Sequence, residues 1–292
     1  MLSILIPIYN FKVVDVVLEL KKQAKKLNIP FEILCFDDYS TTHKDCNKSL
    51  SKEAGIHYNE LENNIGRTKI RNLLAQQAKY NNLLFLDCDI SIDKDDFLAA
   101  YHPYLNSGHV VCGGVNYQLK KPEKSQELRW KYGKAREEKN ASIRNQSPYQ
   151  SFTAFNLLVP KTIFQKIAFD ENIKGYGHED TLFGIQLKKA GVTVAHIDNP
   201  IIHIGLDNHK NFIQKTKVGL ENLALLIQEN RINRDVKLYR YYLIFKPTLF
   251  FSLIIFSSLK NQCEKLLIKG HNSLIIFDLF KLSYLLTIKE NQ

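Results

Sequence analysis

The chain carries only five cysteines, Cys35, Cys46, Cys88, Cys112 and Cys263. None forms a Cys-x-x-Cys pair, which excludes a zinc knuckle, and the odd count offers no disulfide framework. A reducing, cytoplasmic setting is therefore expected. No basic segment precedes the apolar run Ile4–Ile8, so a signal peptide is not expected. Long hydrophobic runs are also missing. The longest uncharged stretch of the C-terminal region, Pro247–Leu259, has 13 residues, short of a bilayer crossing. The chain has neither internal repeats nor a low-complexity linker. A net charge of +10 comes without a helix-turn-helix, RNP or zinc motif, so nucleic acid is not an expected partner. The first apolar run leads into Tyr9-Asn10-Phe11-Lys12, not into the Gly-rich basic loop that a sugar-phosphate nucleotidyltransferase needs.

What is present is enough for one large domain with an appendage: 292 residues, 45% of them hydrophobic. The positive charge is uneven. Residues 231–292 hold ten Lys/Arg against four Asp/Glu, interleaved with Leu, Ile and Phe. Two readings stay open for this segment. It lies on an anionic membrane surface, or it forms a helical lid with its charges in solvent.

Short apolar runs alternate with stretches of helical spacing. Leu2–Ile8, Phe31–Phe36 and Asn82–Leu86 read as buried strands; Val13–Leu27 and Arg67–Ala78 read as helices. This alternation predicts βαβ units and a mostly parallel sheet. Residues 107–115, 150–159 and 192–197 read as further strands. Glu179–Ala190 reads as a helix stopped at Gly191, Phe212–Gln228 as another, and residues beyond 230 as helical, interrupted at Pro247. Residues 118–145 are highly charged, a helix or a mobile loop.

Acidic residues follow the strands. Phe31–Phe36 runs into Asp37-Asp38, and Leu83–Leu86 runs into Asp87-Cys88-Asp89. Parallel sheets bind ligands beyond the carboxyl ends of their strands, and paired carboxylates there suit a hard divalent cation bridging phosphate oxygens. Solvated turn or cap residues are the plain alternative.

The order of motifs resembles the inverting family 2 glycosyltransferases of GT-A fold, bacterial surface-glycan type, over roughly residues 2 to 225. Ser3-Ile4-Leu5-Ile6-Pro7-Ile8-Tyr9-Asn10 is similar to the family's first strand and nucleotide loop. Asp37-Asp38-Tyr39-Ser40-Thr41 is similar to its Asp-Asp-Gly-Ser-Thr turn, with Tyr39 in place of glycine. Asn64-Ile65-Gly66-Arg67 with Arg71-Asn72, Asp87-Cys88-Asp89, Gly175-Tyr176-Gly177-His178-Glu179-Asp180 and His203-Ile204-Gly205 resemble the later motifs.

The resemblance implies a GT-A, Rossmann-like catalytic domain over 1–228, with residues 1–115 taking the nucleotide sugar and 116–228 the acceptor. A helical, basic and apolar segment would follow over 229–292. It implies a metal-dependent transfer of a hexosyl or N-acetylhexosaminyl group from a nucleoside diphosphate, UDP foremost, to a glycan or lipid-linked glycan, on the inner face of the cell membrane. Pro7, Tyr9, Asn10, Asp38, Asn64, Arg67, Arg71, Asp87, Cys88 and Asp89 would hold the donor. Asp89, Asp87 and His203 would hold Mn2+ or Mg2+, with Asp87 alternatively on the ribose or a metal-bound water. Arg71 is equally suited to pair with a strand-end Asp. Asp180 would be the base and Glu179 would orient the acceptor; helix capping is the alternative role for this pair. His196 and His209 are lesser metal candidates. Arg129, Trp130, Tyr132, Arg136 and Arg144 either contact the acceptor or sit on a solvated charged helix. The competing function is a catalytically inactive relative serving as a carbohydrate-binding or membrane scaffold.

Overall fold

The computed structural model describes residues 1–288, the side chains of Phe250 and Phe251 excepted, so the last four residues of the basic segment lie outside the described residues. Among the described residues ten strands form: β1 Leu2–Ile8, β2 Phe31–Asp37, β3 Ile56–Glu60, β4 Asn82–Leu86, β5 Ile90–Ser91, β6 Val110–Cys112, β7 Val115–Tyr117, β8 Asn156–Pro160, β9 Val194–His196 and β10 Ile201–His203. The helices are α1 Val14–Lys26, α2 Lys44–Lys48, α3 Arg67–Gln77, α4 Glu127–Tyr132, α5 Ala141–Asn145, α6 Lys161–Lys166, α7 Glu179–Lys189, α8 His209–Gln228, α9 Lys237–Phe245, α10 Leu249–Ile268 and α11 Leu274–Thr287.

The chain divides into two compact units. The first comprises Met1–Gln118, Glu138–Glu171 and Phe183–Gly205; the second comprises Leu119–Glu137, Asn172–Leu182 and Leu206–Gln292.

In the first unit a seven-stranded sheet runs β3-β2-β1-β4-β8-β6-β9. β1 pairs in parallel with β2 and β4, and β2 with β3, while β8 is antiparallel to both β4 and β6. The fold is thus α/β with a mixed, mostly parallel sheet, as the alternating pattern predicts. Strand residues alternate between two cores. Leu2, Ile4, Ile6 and Ile8 of β1 join one cluster, with Ile33 and Cys35 of β2 and Leu84 and Leu86 of β4. Leu5, Leu34, Phe36, Leu83 and Phe85 join the other. Both faces are covered, which is why these strands read as continuous apolar runs. Val17, Leu20 and Ala24 of α1 pack on the first face and Ile70, Leu74 and Ala75 of α3 on the second. Each fully buried Leu or Ile contributes about 1.5–3 kcal/mol.

β1 is flanked by β2 on one side and β4 on the other, so the sheet reverses its winding there. Such a switch point opens a crevice beyond the carboxyl ends of the strands. Tyr9-Asn10, Asp37-Asp38 and Asp87-Cys88-Asp89 all leave strands at this edge. A second sheet, β5-β10-β7, is built from pieces too short for periodicity to reveal.

In the second unit Leu128, Phe212, Ile213, Cys263, Leu267, Phe277 and Phe280 make one core that ties α4 and α8 to α10 and α11. Among the described residues, no helix is long and apolar enough to cross a membrane.

Candidate active site

The turn after β2 is held from within. Ser40 N donates to Asp37 Oδ1 (2.6 Å), and Thr41 N donates to Asn10 Oδ1 (2.7 Å), joining the β1 and β2 ends. Asn10 N donates back to Ser40 Oγ (2.8 Å). Asn10 has φ 52°, and Tyr39, where the resemblance expects glycine, has φ 64°. The left-handed turn is therefore kept with an L side chain in it. The Tyr39 ring stays half exposed, with Lys44 Nζ 5.5 Å from its centroid.

Asp38 is buried, and its carboxylate accepts from Ile65 N (2.7 Å) and Gly66 N (2.9 Å). Asn64 Nδ2 donates to Asp38 O (2.9 Å). Burial raises the Asp38 pKa while these two amides oppose the rise. Asp38, Asn10 and Asn64 thus brace the loops at the mouth of the crevice. Gly66 caps α3 at φ 86°, a conformation glycine adopts at little cost.

At the end of β4, Asp87 lies between two arginines of α3, one turn apart. Arg71 Nη2 donates to Asp87 Oδ1, and Arg67 Nη2 approaches Oδ2 at 3.3 Å. Arg71 and Asp87 are both buried, whereas the Arg67 side chain is 39% exposed. Asp87 therefore has its charge matched by Arg71, and the Arg67 guanidinium carries a positive charge to the surface of the crevice. Pro7 lies in β1 past the last residue paired with β4, Tyr9 is exposed, and Cys88 is half-buried between the two aspartates with its thiol pKa pushed up to about 12 by burial.

Asp89 meets His203. β5 pairs antiparallel with β10, setting Ile90 opposite His203, and Asp89 Oδ2 lies 3.0 Å from His203 Nε2. Ile204 N donates to Asp89 O (3.0 Å). A Cβ on Gly205 would fall 2.5 Å from Asp89 Oδ2, so only glycine fits beside this carboxylate. Tyr117 and Phe155 hold the imidazole edge-on, with centroids at 5.5 and 5.1 Å. Burial works against ionised Asp89, but the His203 hydrogen bond and charge together with the Arg67 charge outweigh it and lower its pKa.

This pair suits a divalent cation. Adjacent ligands on an octahedral ion with bonds of about 2.1 Å are about 3 Å apart, the separation of Asp89 Oδ2 from His203 Nε2. His203 Nδ1 is buried without a hydrogen-bond partner. Among the described residues no three His, Cys, Asp or Glu side chains form a metal cage. Magnesium is commonly held by one or two carboxylates with substrate phosphates and waters completing the shell, and here Asp89 supplies the carboxylate.

The two lesser candidates, His196 and His209, are committed elsewhere. His196 Nδ1 contacts Arg144 Nη1 (2.8 Å) and its Nε2 contacts Pro148 O (2.9 Å); His209 Nδ1 donates to Leu267 O (2.9 Å). Arg144 is buried and donates to the carbonyls of Cys112, Gly113, Ile197 and Lys139. Arg129 is buried beside Glu137 (3.1 Å). Both arginines are thus buried and do not sit on a solvated helix face.

Glu179 and Asp180 belong to the second unit, at the first turn of α7. The turn before them winds through φ 70° at Gly175, 99° at Gly177 and 71° at His178. It is docked on α8. Asn222 Nδ2 donates to the carbonyls of Lys174 (2.9 Å), Tyr176 and Gly177 (both 3.2 Å), and a Cβ on Gly177 would come 2.9 Å from Gly219 Cα. Gly219 and Asn222 position this turn and were not singled out from sequence. The signal available was a glycine in mid-helix, which costs stability unless close packing needs it. His178 is held neutral, its pKa lowered to about 4 by burial. Glu179 itself is buried.

Solved structures of similar fold cover nearly the whole chain. Staphylococcus aureus TarS is 16% identical with TM-score 0.52, covering 97% of this chain, while the chain spans 54% of that longer one. TarS 1–349 in complex with UDP-GlcNAc is 16% identical with TM-score 0.51, covering 100% of this chain and 92% of that one. The mannosyltransferase PcManGT from Pyrobaculum calidifontis, in complex with GDP-Man and Mn2+, is 13% identical with TM-score 0.61, covering 100% and 88%. At such identities the likeness is one of fold. No curated protein sequence matches the chain. The family profile described as glycosyl transferase family 2 matches residues 3–164, more than half of the 292, and the chain belongs to that family.

Proposed function

We propose that the protein is a metal-dependent inverting glycosyltransferase that moves a sugar from a nucleoside diphosphate to a hydroxyl of a saccharide or lipid-linked saccharide. The observation that carries this reading is the 3.0 Å approach of His203 to Asp89 beside three strand ends at a switch point of the sheet. Uridine diphosphate is the donor nucleotide to try first, because the TarS 1–349 structures hold UDP and UDP-GlcNAc; PcManGT holds GDP-Man, so guanosine is second.

Asp89 and His203 would hold Mn2+ or Mg2+. Bound there, the ion would stabilise negative charge building on the departing diphosphate. Arg67, the exposed member of the arginine pair, adds positive charge on the phosphate side, and Arg71 keeps Asp87 in place. The Asp38, Asn10 and Asn64 network shapes the nucleotide loop. Asp180 acts as base: it takes the proton of the acceptor hydroxyl as that oxygen bonds the anomeric carbon. The bond from that carbon to the diphosphate oxygen breaks on the opposite side, so configuration inverts. Glu179 orients the acceptor, and a neutral His178 adds no charge beside it. Exposed apolar side chains on α10 and α11, with Ile254 84% and Ile275 74% exposed, support a segment that docks on an anionic membrane surface.

The test is release of nucleoside diphosphate from labelled UDP- and GDP-sugars, with manganese or with chelator. Turnover should need the metal, and Asp180→Asn should bind donor yet transfer about 100-fold more slowly or worse. Turnover unchanged by chelator would refute metal dependence; normal transfer by Asp180→Asn would remove it as the base.

A further inference from the structure

We propose that Arg67 is a movable placeholder cation. While it rests on Asp87 it disfavours a metal ion on its own beside Asp89. The diphosphate of an incoming nucleotide sugar draws it off, so that metal and nucleotide bind tightly only together. This rests on the glycosyltransferase reading and deepens it, by naming the side chain that couples the two ligands. Arg67 and Arg71 share one carboxylate but hold it differently. The Arg71 side chain is buried, donates to Asp87 Oδ1 and to Arg67 O, and has its Cζ 5.8 Å from the centroid of the Phe169 ring. It is locked in place. The Arg67 side chain is 39% exposed, and its Nη2 stands 3.3 Å from Asp87 Oδ2, longer than an ordinary hydrogen bond. Its backbone is nonetheless fixed, because the Asp38 carboxylate holds the two preceding amides, Ile65 N and Gly66 N. A loosely held, solvent-facing guanidinium on a firm anchor can change partners without any shift of α3.

The charges decide which partner Arg67 takes. Asp87 and Asp89 follow β4 with one residue between them, and the Arg67 charge acts on Asp89 as well as on Asp87. The formal charges of Asp87, Asp89, Arg67 and Arg71 balance. A divalent ion arriving alone beside Asp89 would add uncompensated positive charge to a partly buried site, next to a guanidinium that repels it. The diphosphate of a nucleotide sugar brings the negative charge that offsets the ion. Arginine also grips phosphate oxygens with a two-pronged fork, a better contact for Arg67 than the long one to Asp87. When Arg67 turns to the diphosphate, Asp87 Oδ2 is released to accept from a hydroxyl of the donor, while Arg71 keeps Oδ1. Arg67 is thus a positioning residue for the metal. It does not touch the ion, yet it sets how far metal affinity depends on the nucleotide.

The test is calorimetry on the full chain, wild type against Arg67→Gln and Arg67→Lys. Mn2+ affinity is measured with and without UDP, corrected for the ion that UDP holds in solution, and UDP affinity is measured without metal. In the wild type UDP should tighten Mn2+ binding about 100-fold. Arg67→Gln should bind Mn2+ alone about tenfold more tightly than the wild type does, but no more tightly when UDP is present. It should bind UDP alone about tenfold more weakly. Arg67→Lys keeps the charge and should bind Mn2+ alone as weakly as the wild type. Unchanged thermal unfolding reports an intact fold in both variants. An equal rise in Mn2+ affinity with and without UDP would make Arg67 a fixed charge and overturn the proposal, as would wild-type Mn2+ affinity in Arg67→Gln. A wild type that binds Mn2+ no better with UDP than alone would overturn the metal-dependent donor reading, and the proposal with it.

Discussion

A methyl group on Gly205 would lie 2.5 Å from both Cβ and Oδ2 of Asp89, so the Asp89 side chain would have to shift. Gly205→Ala should push the carboxylate away from His203 Nε2. Disturbing the support of a ligand typically costs about 10- to 100-fold in metal affinity, and that is the expected loss in manganese-dependent UDP binding by calorimetry. Wild-type affinity in the variant would mean that the Asp89–His203 spacing is immaterial. The residue scale also shows the limits of sequence reading. Tyr39 departs from the glycine that the family resemblance expects, which leaves the turn geometry open. The left-handed φ of 64° survives, held by Ser40 and Thr41 bonds to Asp37 and Asn10. Tertiary bonding overrides local preference there, and no property of Tyr39 alone foretells it.

Among the elements, β1, β2 and β4 were legible because burial on both faces makes their apolar runs continuous, and their acidic ends were legible for the same reason. The small sheet was not. Its strands are two or three residues long, and β5 finds β10 across more than a hundred residues of chain. His203 was therefore reachable only through the family resemblance. The glycine-rich turn before α7 was legible as a motif, but its docking on Gly219 and Asn222 depends on a helix face that the motif does not contain. That turn should leave a signature in the pH dependence of stability. Burial lowers the His178 pKa from 6.5 to about 4, so between these values the unfolded chain binds the proton that the folded chain refuses. Unfolding free energy should therefore rise with pH across that window and level off above it. His178→Asn keeps a side chain that tolerates φ 71° and removes the titration, so its denaturation profile should be flatter from pH 4 to 6.5. An unchanged slope would place the titrating group elsewhere.

For the whole molecule, the fold class followed from the alternation of strand and helix patterns, and the family from motifs spread over much of the chain. A cavity of about 710 Å³ in the second unit could not be read in advance, because its walls come from five separate segments, namely Tyr132 with the residues after α4, the turn before α7, α8, α9 and α11, whose lining faces are set only by packing. The C-terminal segment was legible as basic and apolar, and the exposed side chains of α10 give that composition a surface. If the segment docks on membranes, the protein should sediment with phosphatidylglycerol vesicles and less with neutral ones. Ile254→Glu with Ile275→Glu should release it, since both side chains are largely exposed and their loss leaves the core intact. Sedimentation of the double variant at the wild-type level would refute this docking surface. The central claim, however, concerns the crevice of the first unit. Electron paramagnetic resonance of Mn2+ titrated with protein and UDP reads it directly. The wild type should bind the ion together with UDP, and Asp89→Asn and His203→Ala should each leave most of it free in solution. Equal binding by all three proteins would contradict the account.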